Sequence, residues 1–425
     1  MREQKAPPRA LGSRPLHHCT IMFRFFLVII LLAVSPPGAS GLTASPEQAA
    51  AYAVRHNPDL AAARWAVEEA RGRLTQAGRW PNPELEGEAR PRVTGREFSV
   101  GVGFMQRFPR ASRLRLEKEV SQAELAVAEA EVRVAERRLA TEVKTLAVKM
   151  QALAARHELT QRQIAHGREL SQTAAKIAAT GEGSSLDAAQ FDLEAQQLAL
   201  AELQNASEKT ALAGELRVLL GLGANEAVEI SGALREPSAP APSAPDVSKR
   251  HDYTAAETRA EAARRQLSLQ RQNRWEDIGV GLAAEVERGE DAPNGMETDA
   301  FLGLKISVPL PLWNKNEGKI QEAQATLARV EKEKEAVAAR IRGEAAAARA
   351  EMTAAAAIYH KAASELLPAA QQLEQKFQAA YQNGQASITE VLRSREKRFA
   401  LETARLEARR DFNLARVRHD AALGR

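Results

Sequence analysis

The sequence predicts a mainly helical protein with a small β part, built as a tandem helix–strand–strand–helix repeat. Aromatic residues make up only 4% of the 425 residues. Alanine, glutamate, arginine, glutamine and leucine dominate long stretches, which is typical of long helices rather than of a layered enzyme. An order of strand, proline, polar turn and long helix occurs twice, over residues 98–125 and again over residues 301–325.

Residues 1–41 are predicted to be a secretory signal peptide, with Met22 as an alternative start. Basic residues precede an apolar run over positions 25–34, and small residues follow at positions 38–41, the order found in such leaders. Residues 1–41 carry five of the 59 basic and one of the 55 acidic side chains, so 54 of each remain. A mature chain without net charge argues against nucleic-acid binding.

The residue types for catalysis or metal binding are missing or scattered. The only cysteine, Cys19, lies upstream of the apolar run, so the mature chain has no disulfide, thiolate ligand or lipid-anchoring cysteine. The histidines show no metal-ligand spacing such as HExxH. We therefore expect no enzyme activity, no catalytic residues, no bound metal and no cofactor.

Two repeats are expected over residues 42–235 and 251–425, joined by a Pro/Ala/Ser-rich linker over residues 236–250. Gly181 and Gly384, and Ser184 and Ser387, are each 203 residues apart. The first repeat begins with a capping box at Ser45, and a second helix extends from Pro58 to about residue 78.

Each repeat then has two strands whose apolar residues alternate with small or polar ones. In the first repeat they lie near residues 85–89 and 98–104. In the second they lie near residues 278–286 and 301–308, with a loop predicted over residues 288–299. In the last strand, Leu304 and Ile306 share one face, and Lys305 and Ser307 share the other.

These strands have the length of tilted strands that cross a bilayer, roughly 9–11 residues. The aromatic residues at the strand ends fit a membrane-interface girdle: Trp80, Phe108, Trp275 and Trp313. An ordinary sheet packed on a core is the alternative, but the attached helices are too polar to cover a sheet. We expect the apolar face to contact lipid, Lys305 and Ser307 to face a wet lumen, and other chains to close the barrel.

Long helices are predicted over residues 112–179 and 316–382, each on the order of 100 Å long. Leucine or valine recurs every seven residues from Leu125 to Leu153, which indicates coiled-coil packing. A short turn then starts a returning helix that ends near Gly221 or Gly424.

Three segments carry a family resemblance. "SVPLPLWNKNEGKI" and "RHNPDLAAAR" resemble the cobalt–zinc–cadmium branch of the TolC-type outer-membrane efflux channels, and "AYQNGQASITEVL" resembles their periplasmic helix turn. The resemblance implies a homotrimer with a twelve-stranded β-barrel above a coiled-coil tunnel. It also implies an outer-membrane location, a periplasmic adaptor and an inner-membrane RND pump as partners, and export of heavy-metal cations or other small toxic solutes.

The resemblance further implies that acidic residues after the tip turn surround the periplasmic entrance. By position these are Asp187 and Glu390, next to the turn glycines Gly181 and Gly384, while Arg393 stands where the family often has a second acid. Capping boxes with Ser184 and Ser387 are the other explanation of the two acids.

Two other classes of protein remain alternatives: a periplasmic membrane-fusion adaptor, which would carry one hairpin and soluble β-domains, and a soluble helical scaffold. The exported solute stays open among zinc, cobalt, cadmium, nickel, copper, silver and organic compounds.

Overall fold

The computed structural model describes residues 41–91, 93, 95–180, 184–239, 245–291, 293 and 295–425. The predicted signal peptide, except Gly41, and the tip residue Gly181 lie outside the described residues. The predicted fold class is confirmed, because long helices dominate and strands form a small sheet. The elements are β1 (Leu42–Ala44), α1 (Pro46–His56), α2 (Pro58–Gln76), β2 (Glu84–Pro91), β3 (Phe98–Phe108), α3 (Ala111–Ala179), α4 (Ser185–Leu220), β4 (Val228–Ile230), α5 (His251–Gln272), β5 (Ile278–Asp291), β6 (Gly295–Ser307), α6 (Glu317–Lys361), α7 (Leu367–Gln382) and α8 (Ile388–Ala422).

The first helices begin where their caps predict. The Ser45 side chain accepts a hydrogen bond from the backbone N–H of Gln48, whose side chain accepts one from the backbone of Ser45. Asn57 caps α2 by accepting from the N–H of Leu60 at 2.9 Å. Its side-chain amide also donates to the carbonyl of Leu219 at 3.0 Å, so the junction of α1 and α2 is held against the end of α4.

The four long strands form one antiparallel sheet in the order β2-β3-β5-β6. The predicted loop over residues 288–299 is wrong in extent, because β5 continues to Asp291 and β6 begins at Gly295. Charged residues there suggested a loop, yet their backbones pair across the hairpin, as Arg288 does opposite Thr298. Gly295, with φ of 87°, supplies the left-handed residue that a tight turn needs.

The second long helix is interrupted, which the sequence analysis did not predict. α6 ends at Lys361, a π-helical segment spans Ala362–Leu366, and α7 follows. Pro368 explains the interruption, because proline has no N–H to donate and its ring clashes with the carbonyl four residues earlier. A π turn inserts one extra residue and relieves this conflict while the chain stays helical.

Four helices, here called the lower helices, end at the turns of the two helical hairpins. They pack side by side in the order α4, α3, α8, α7. The predicted heptads contribute to the core unequally: Leu146 and Leu153 are buried, whereas Leu125 and Val132 are half-buried. The largest apolar cluster joins α1, the middle of α3 and the end of α4, and includes Leu216.

A parallel pair of short strands and a buried arginine add contacts that the sequence analysis missed. β1 pairs with β4, with Leu42 opposite Val228. At the end of the expected linker, the side chain of Arg250 is only 4% exposed and donates to Asp252 at 2.6 Å and to the carbonyl of Ala421 at 2.8 Å. These bonds hold the start of α5 against the end of α8.

Candidate functional site

The first candidate surface is the four-stranded sheet, which has one apolar and one polar face. A row of large apolar side chains crosses it in register, from Leu85 through Phe104 and Leu282 to Leu304. All four are more than half exposed in the chain alone. An exposed apolar surface that spans four strands marks a site of contact with a membrane, a ligand or another protein.

The opposite face is mainly polar, although it also carries Met105 and Phe301. Gly103 and Gly281 lie on it, and a Cβ at Gly281 would come within 2.7 Å of the carbonyl of Phe104. The glycines in the middle of this face have no side chains to stand between the two edge strands. Lys305 on one edge strand therefore reaches Glu86 on the other, with its ammonium 3.3 Å from the carboxylate. Lys305 and Ser307 therefore lie on the face opposite Leu304, as their alternation predicts.

The four predicted interface aromatics lie where the strands meet the helices. Trp80 packs edge-on against Phe108, with 5.7 Å between ring centres. The guanidinium of Arg110, at the start of α3, lies 4.7 Å from the centre of the Trp275 ring. Trp313 is 95% exposed in the segment between β6 and α6. Their role at a membrane interface stays a prediction.

The second candidate surface is the end of the two helical hairpins. Gly384 has φ of 67°, and no atom lies within 4 Å of the position that a Cβ would take. The N–H groups of Gly384 and Gln385 donate to the carbonyls of Tyr381 and Ala380, which is how a glycine closes the end of a helix.

The two tip carboxylates have different partners. Glu390 forms the predicted capping box, accepting from the backbone N–H of Ser387 at 2.8 Å, and this bond lowers the pKa of Glu390. The predicted box at Ser184 is not formed by Asp187, because the Ser184 side chain accepts from the N–H of Leu186 instead.

Asp187 instead links the two hairpins, because its carboxylate accepts a hydrogen bond from the hydroxyl of Tyr381 at 2.7 Å. Burial and then this bond raise the pKa of Tyr381 to about 12. Arg393 is exposed beyond the capping box. The role of these residues at an entrance stays a prediction.

A buried charged cluster above the tip was missed from the sequence. Arg395 on α8 is fully buried, lies 3.3 Å from Glu194 on α4 and stacks 5.1 Å from the Phe399 ring centre. Burial lowers the pKa of Arg395 and raises that of Glu194. A Cβ at Gly167 of α3 would approach the Arg395 guanidinium to 2.6 Å. A glycine in the middle of such a long helix was the available signal for a close contact.

Next to it, Glu374 on α7 is 4% exposed and binds Arg398 at 2.7 Å. His166 on α3 lies 3.7 Å from the same carboxylate. The cluster therefore brings ionisable side chains from α3, α4, α7 and α8 into one layer between the two hairpins.

Two kinds of site are absent from the described ranges. No group of three or more His, Cys, Asp or Glu residues there is placed to hold a metal ion. No helix in that part of the chain is long and apolar enough to cross a bilayer.

Comparisons with known proteins agree with this geometry. Residues 51–222 match the model of the "Outer membrane efflux protein" family, which supports the predicted resemblance at the level of the family for that segment; the cobalt–zinc–cadmium branch stays a prediction. No curated protein matches the chain at a significant level.

Among solved structures, CusC is 19% identical, with a TM-score of 0.72 over 89% of this chain and 92% of CusC. VceC from Vibrio cholerae is 22% identical, with a TM-score of 0.69 over 89% and 96%. The MtrE outer membrane channel of Neisseria gonorrhoeae, in its open state, is 17% identical, with a TM-score of 0.67 over 89% and 88%. At these identities the matches show a shared fold.

Proposed function

We propose that this chain is the outer-membrane channel of a tripartite efflux system and works as a homotrimer. The observation that carries the proposal is the sheet, which exposes a band of apolar side chains across one face next to the long helices, each of about 100 Å. A lipid bilayer would cover that face, and the helices would extend the passage across the periplasm. The family match of residues 51–222 supports the same function.

The edges of the sheet favour assembly with further copies. Each edge strand, β2 and β6, has a neighbour on one side within the described sheet. Lipid offers no partner for free backbone N–H and C=O groups, so strands in a membrane have to close into a barrel. β2 and β6 run in opposite directions, so β6 of one copy can pair antiparallel with β2 of the next, and three copies give twelve strands.

In this trimer the polar face lines the lumen. Lys305, Ser307 and Glu86 would line a water-filled exit, and the interface aromatics would lie at the level of the lipid headgroups. Residues 1–41 would be removed on export, and the repeats at 42–235 and 251–425 would each supply two strands and one helical hairpin.

At the other end, the tip residues would meet the periplasmic adaptor, which links the channel to an inner-membrane RND pump. They are Gly181, Asp187, Gly384, Glu390 and Arg393. An adaptor or a soluble scaffold is less consistent with the chain, because neither class needs paired strands with an uncovered apolar face.

We further propose that the cargo consists of heavy-metal cations. The support is the segment at residues 307–320, which resembles the metal-exporting branch and connects β6 to α6. Cations would pass through without a dedicated chelating site, and the pump would select them.

The test is a strain that lacks this chain, exposed to zinc, cobalt, cadmium, nickel, copper, silver and a set of organic drugs, with fractionation of the complemented strain. We expect sensitivity to at least one metal and a trimer in the outer membrane. Sensitivity to organic solutes alone would refute the metal cargo, and a monomer soluble in the periplasm would refute the channel itself.

A further inference from the structure

Each of the four junctions between a long strand and a helix combines an aromatic ring with a basic side chain. The two are one or two residues apart at every junction: Arg79 with Trp80, Phe108 with Arg110, Arg274 with Trp275, and Trp313 with Lys315. The four rings are 40–95% exposed in the chain alone. The four basic side chains, here called the junction bases, are exposed as well. Because the combination occurs at all four junctions, it indicates a role that the junctions share.

The junction bases differ from neighbouring arginines because they have no carboxylate to pair with. Arg107 lies 3.1 Å from Glu84, and Arg113 lies 2.5 Å from Asp277. No ion pair in the part of the chain that the structure describes includes a junction base. Their positive charge is therefore available to an anionic partner.

The positive charge begins where the apolar face of the sheet ends. Phe108 pairs with Ile278 at the helix end of the strands, on the face that carries Phe104, and both are about 40% exposed. Arg110 follows two residues after Phe108, and its guanidinium lies 4.7 Å from the centre of the Trp275 ring. Apolar side chains followed by aromatic rings and cations match the order of hydrocarbon and headgroups in a bilayer.

The segment after β6 adds apolar side chains beside Lys315. Leu310 and Leu312 in this segment are 67% and 61% exposed. The end of the segment is fixed to α5, because the side-chain amide of Asn316 donates to the carbonyl of Gln270 at 2.8 Å. Lys315 is therefore held next to α5, beside an apolar surface that continues the face of the sheet.

The opposite end of the sheet has the opposite charge in the second repeat. Residues 285–299, around the turn between β5 and β6, contain six acidic side chains and one basic side chain. Phosphate groups would be repelled by this turn and attracted by the junction bases. The charge pattern therefore favours a layer of phosphates at the helix end of the sheet.

We propose that the junction bases bind the phosphate groups of anionic phospholipids, such as phosphatidylglycerol, in the leaflet next to the long helices. The inference rests on the proposed function for membrane insertion and for the trimer, in which four bases from each of three copies form a ring. Arginine and lysine donate charge-assisted hydrogen bonds to phosphate oxygens, and their aliphatic stems lie along apolar surface. A headgroup with net negative charge is preferred, because the positive amine of phosphatidylcholine offsets its own phosphate.

Quenching of tryptophan fluorescence by brominated phospholipids tests this preference. Three of the four tryptophans lie at the junctions, and a Trp65→Phe background removes the fourth. The intact trimer is reconstituted in phosphatidylcholine bilayers that contain equal fractions of brominated phosphatidylglycerol or brominated phosphatidylcholine. The ratio of the two quenching curves gives the relative affinity for the anionic lipid, and it cancels differences in starting fluorescence between variants.

The test variant replaces all four junction bases by glutamine. The matched control also removes three arginines and one lysine, all exposed, outside the ion pairs of the described chain and on the long helices: Arg168→Gln, Arg342→Gln, Arg349→Gln and Lys361→Gln. The two variants have equal net charge. Arg274→Gln and Lys315→Gln are also measured singly, so that a failure of the fourfold variant to assemble leaves the test intact.

In the wild type and the control, we expect brominated phosphatidylglycerol to quench more strongly than brominated phosphatidylcholine. Added salt should reduce this preference, since salt screens exposed charges. The test variant should lose the preference, and each single variant should weaken the relative affinity by about fivefold, the effect of one basic residue near an anionic surface.

Three results would overturn the inference. One is equal quenching by the two lipids in the wild-type trimer. Another is the same loss of preference in the control as in the test variant, which would assign the preference to net charge. The third is a test variant that keeps its lipid preference but changes the ion selectivity of the channel, which would assign the bases to the lumen. A wild-type chain that stays soluble and enters neither bilayer refutes the proposed function instead, so the two failures are distinguishable.

Discussion

Placing a charge at Leu304 tests whether the apolar face of the sheet contacts lipid. Leu304 is 65% exposed, pairs with Leu282 and ends the apolar row that crosses all four strands. An arginine near the middle of a lipid-facing strand costs about 2–4 kcal/mol. At 1.4 kcal/mol per factor of ten, each protomer's insertion equilibrium would shift by about 30- to 700-fold.

The matched control is the next residue, whose side chain lies on the other face. Lys305→Gln removes the ion pair with Glu86, in which the two side chains are 58% and 52% exposed. Exposed ion pairs contribute about 0–1 kcal/mol, so assembly should be nearly unchanged. Lys305→Glu should also assemble and should alter the ion selectivity of the channel.

The assay is the amount of gel-resistant trimer in purified outer membranes at equal expression, followed by conductance in planar bilayers. Leu304→Arg should strongly reduce the trimer, whereas both Lys305 variants should retain it. If Leu304→Arg and Lys305→Gln are tolerated equally, the sheet does not face a bilayer and the reasoning fails.

Three further predictions concern the tip and the middle of the helices. Tyr381→Phe removes the hydrogen bond to Asp187 that joins the ends of the two hairpins. If this bond restrains the tip, its loss should increase single-channel conductance with unchanged trimer yield. A conductance equal to that of the wild type would show that the bond does not restrain the tip. Gly384→Trp should assemble as a trimer but abolish efflux and adaptor pull-down. Gly384→Asn should preserve both, because asparagine tolerates the left-handed backbone at this position. If both variants lose trimer equally, the turn has only a structural role. Burial raises the pKa of Asp252, but its bonds with Arg250 outweigh this and lower it from 3.8 to about 2. Because the folded pKa is the lower one, this stabilisation, about 2 kcal/mol, is complete well above pH 3.8 and is lost as the pH falls toward 2. Asp252→Asn should therefore lower the melting temperature at pH 7 and by much less at pH 2, as measured by thermal unfolding in detergent, and an equal loss at both values would contradict it.

Local patterns predicted the fold well, because strand alternation and helix caps depend on neighbouring residues. The capping box at Ser45 and the two faces of β6 follow from spacing alone. The prediction made the two strands around Gly295 too short, because their charged residues are typical of a loop. The strand backbones nevertheless pair there, since backbone hydrogen bonds do not depend on the side chains. The interruption before Pro368 had a local signal, but its form as a π insertion depends on the packing of α6 and α7.

The candidate site was less predictable because its contacts join residues far apart in the chain. Asp187 and Tyr381 are 194 residues apart, and no spacing rule connects them. Glu390, whose partner is three residues away, was assigned its capping bond from the sequence. Arg395 gave no local sign of burial, since arginine is usually exposed on a helix.

The buried arginine also bears on how two similar hairpins recognise each other. At the 203-residue offset between the repeats, Arg395 corresponds to Asp192, and Gly167 corresponds to Ala370. If the second hairpin packed against another copy of itself, Arg395 would be buried without the space that Gly167 leaves and without the carboxylate of Glu194. A buried charge that loses its partner is strongly destabilising. The duplicated halves are therefore no longer interchangeable, and in the proposed trimer the cluster would fix the order in which first and second hairpins alternate.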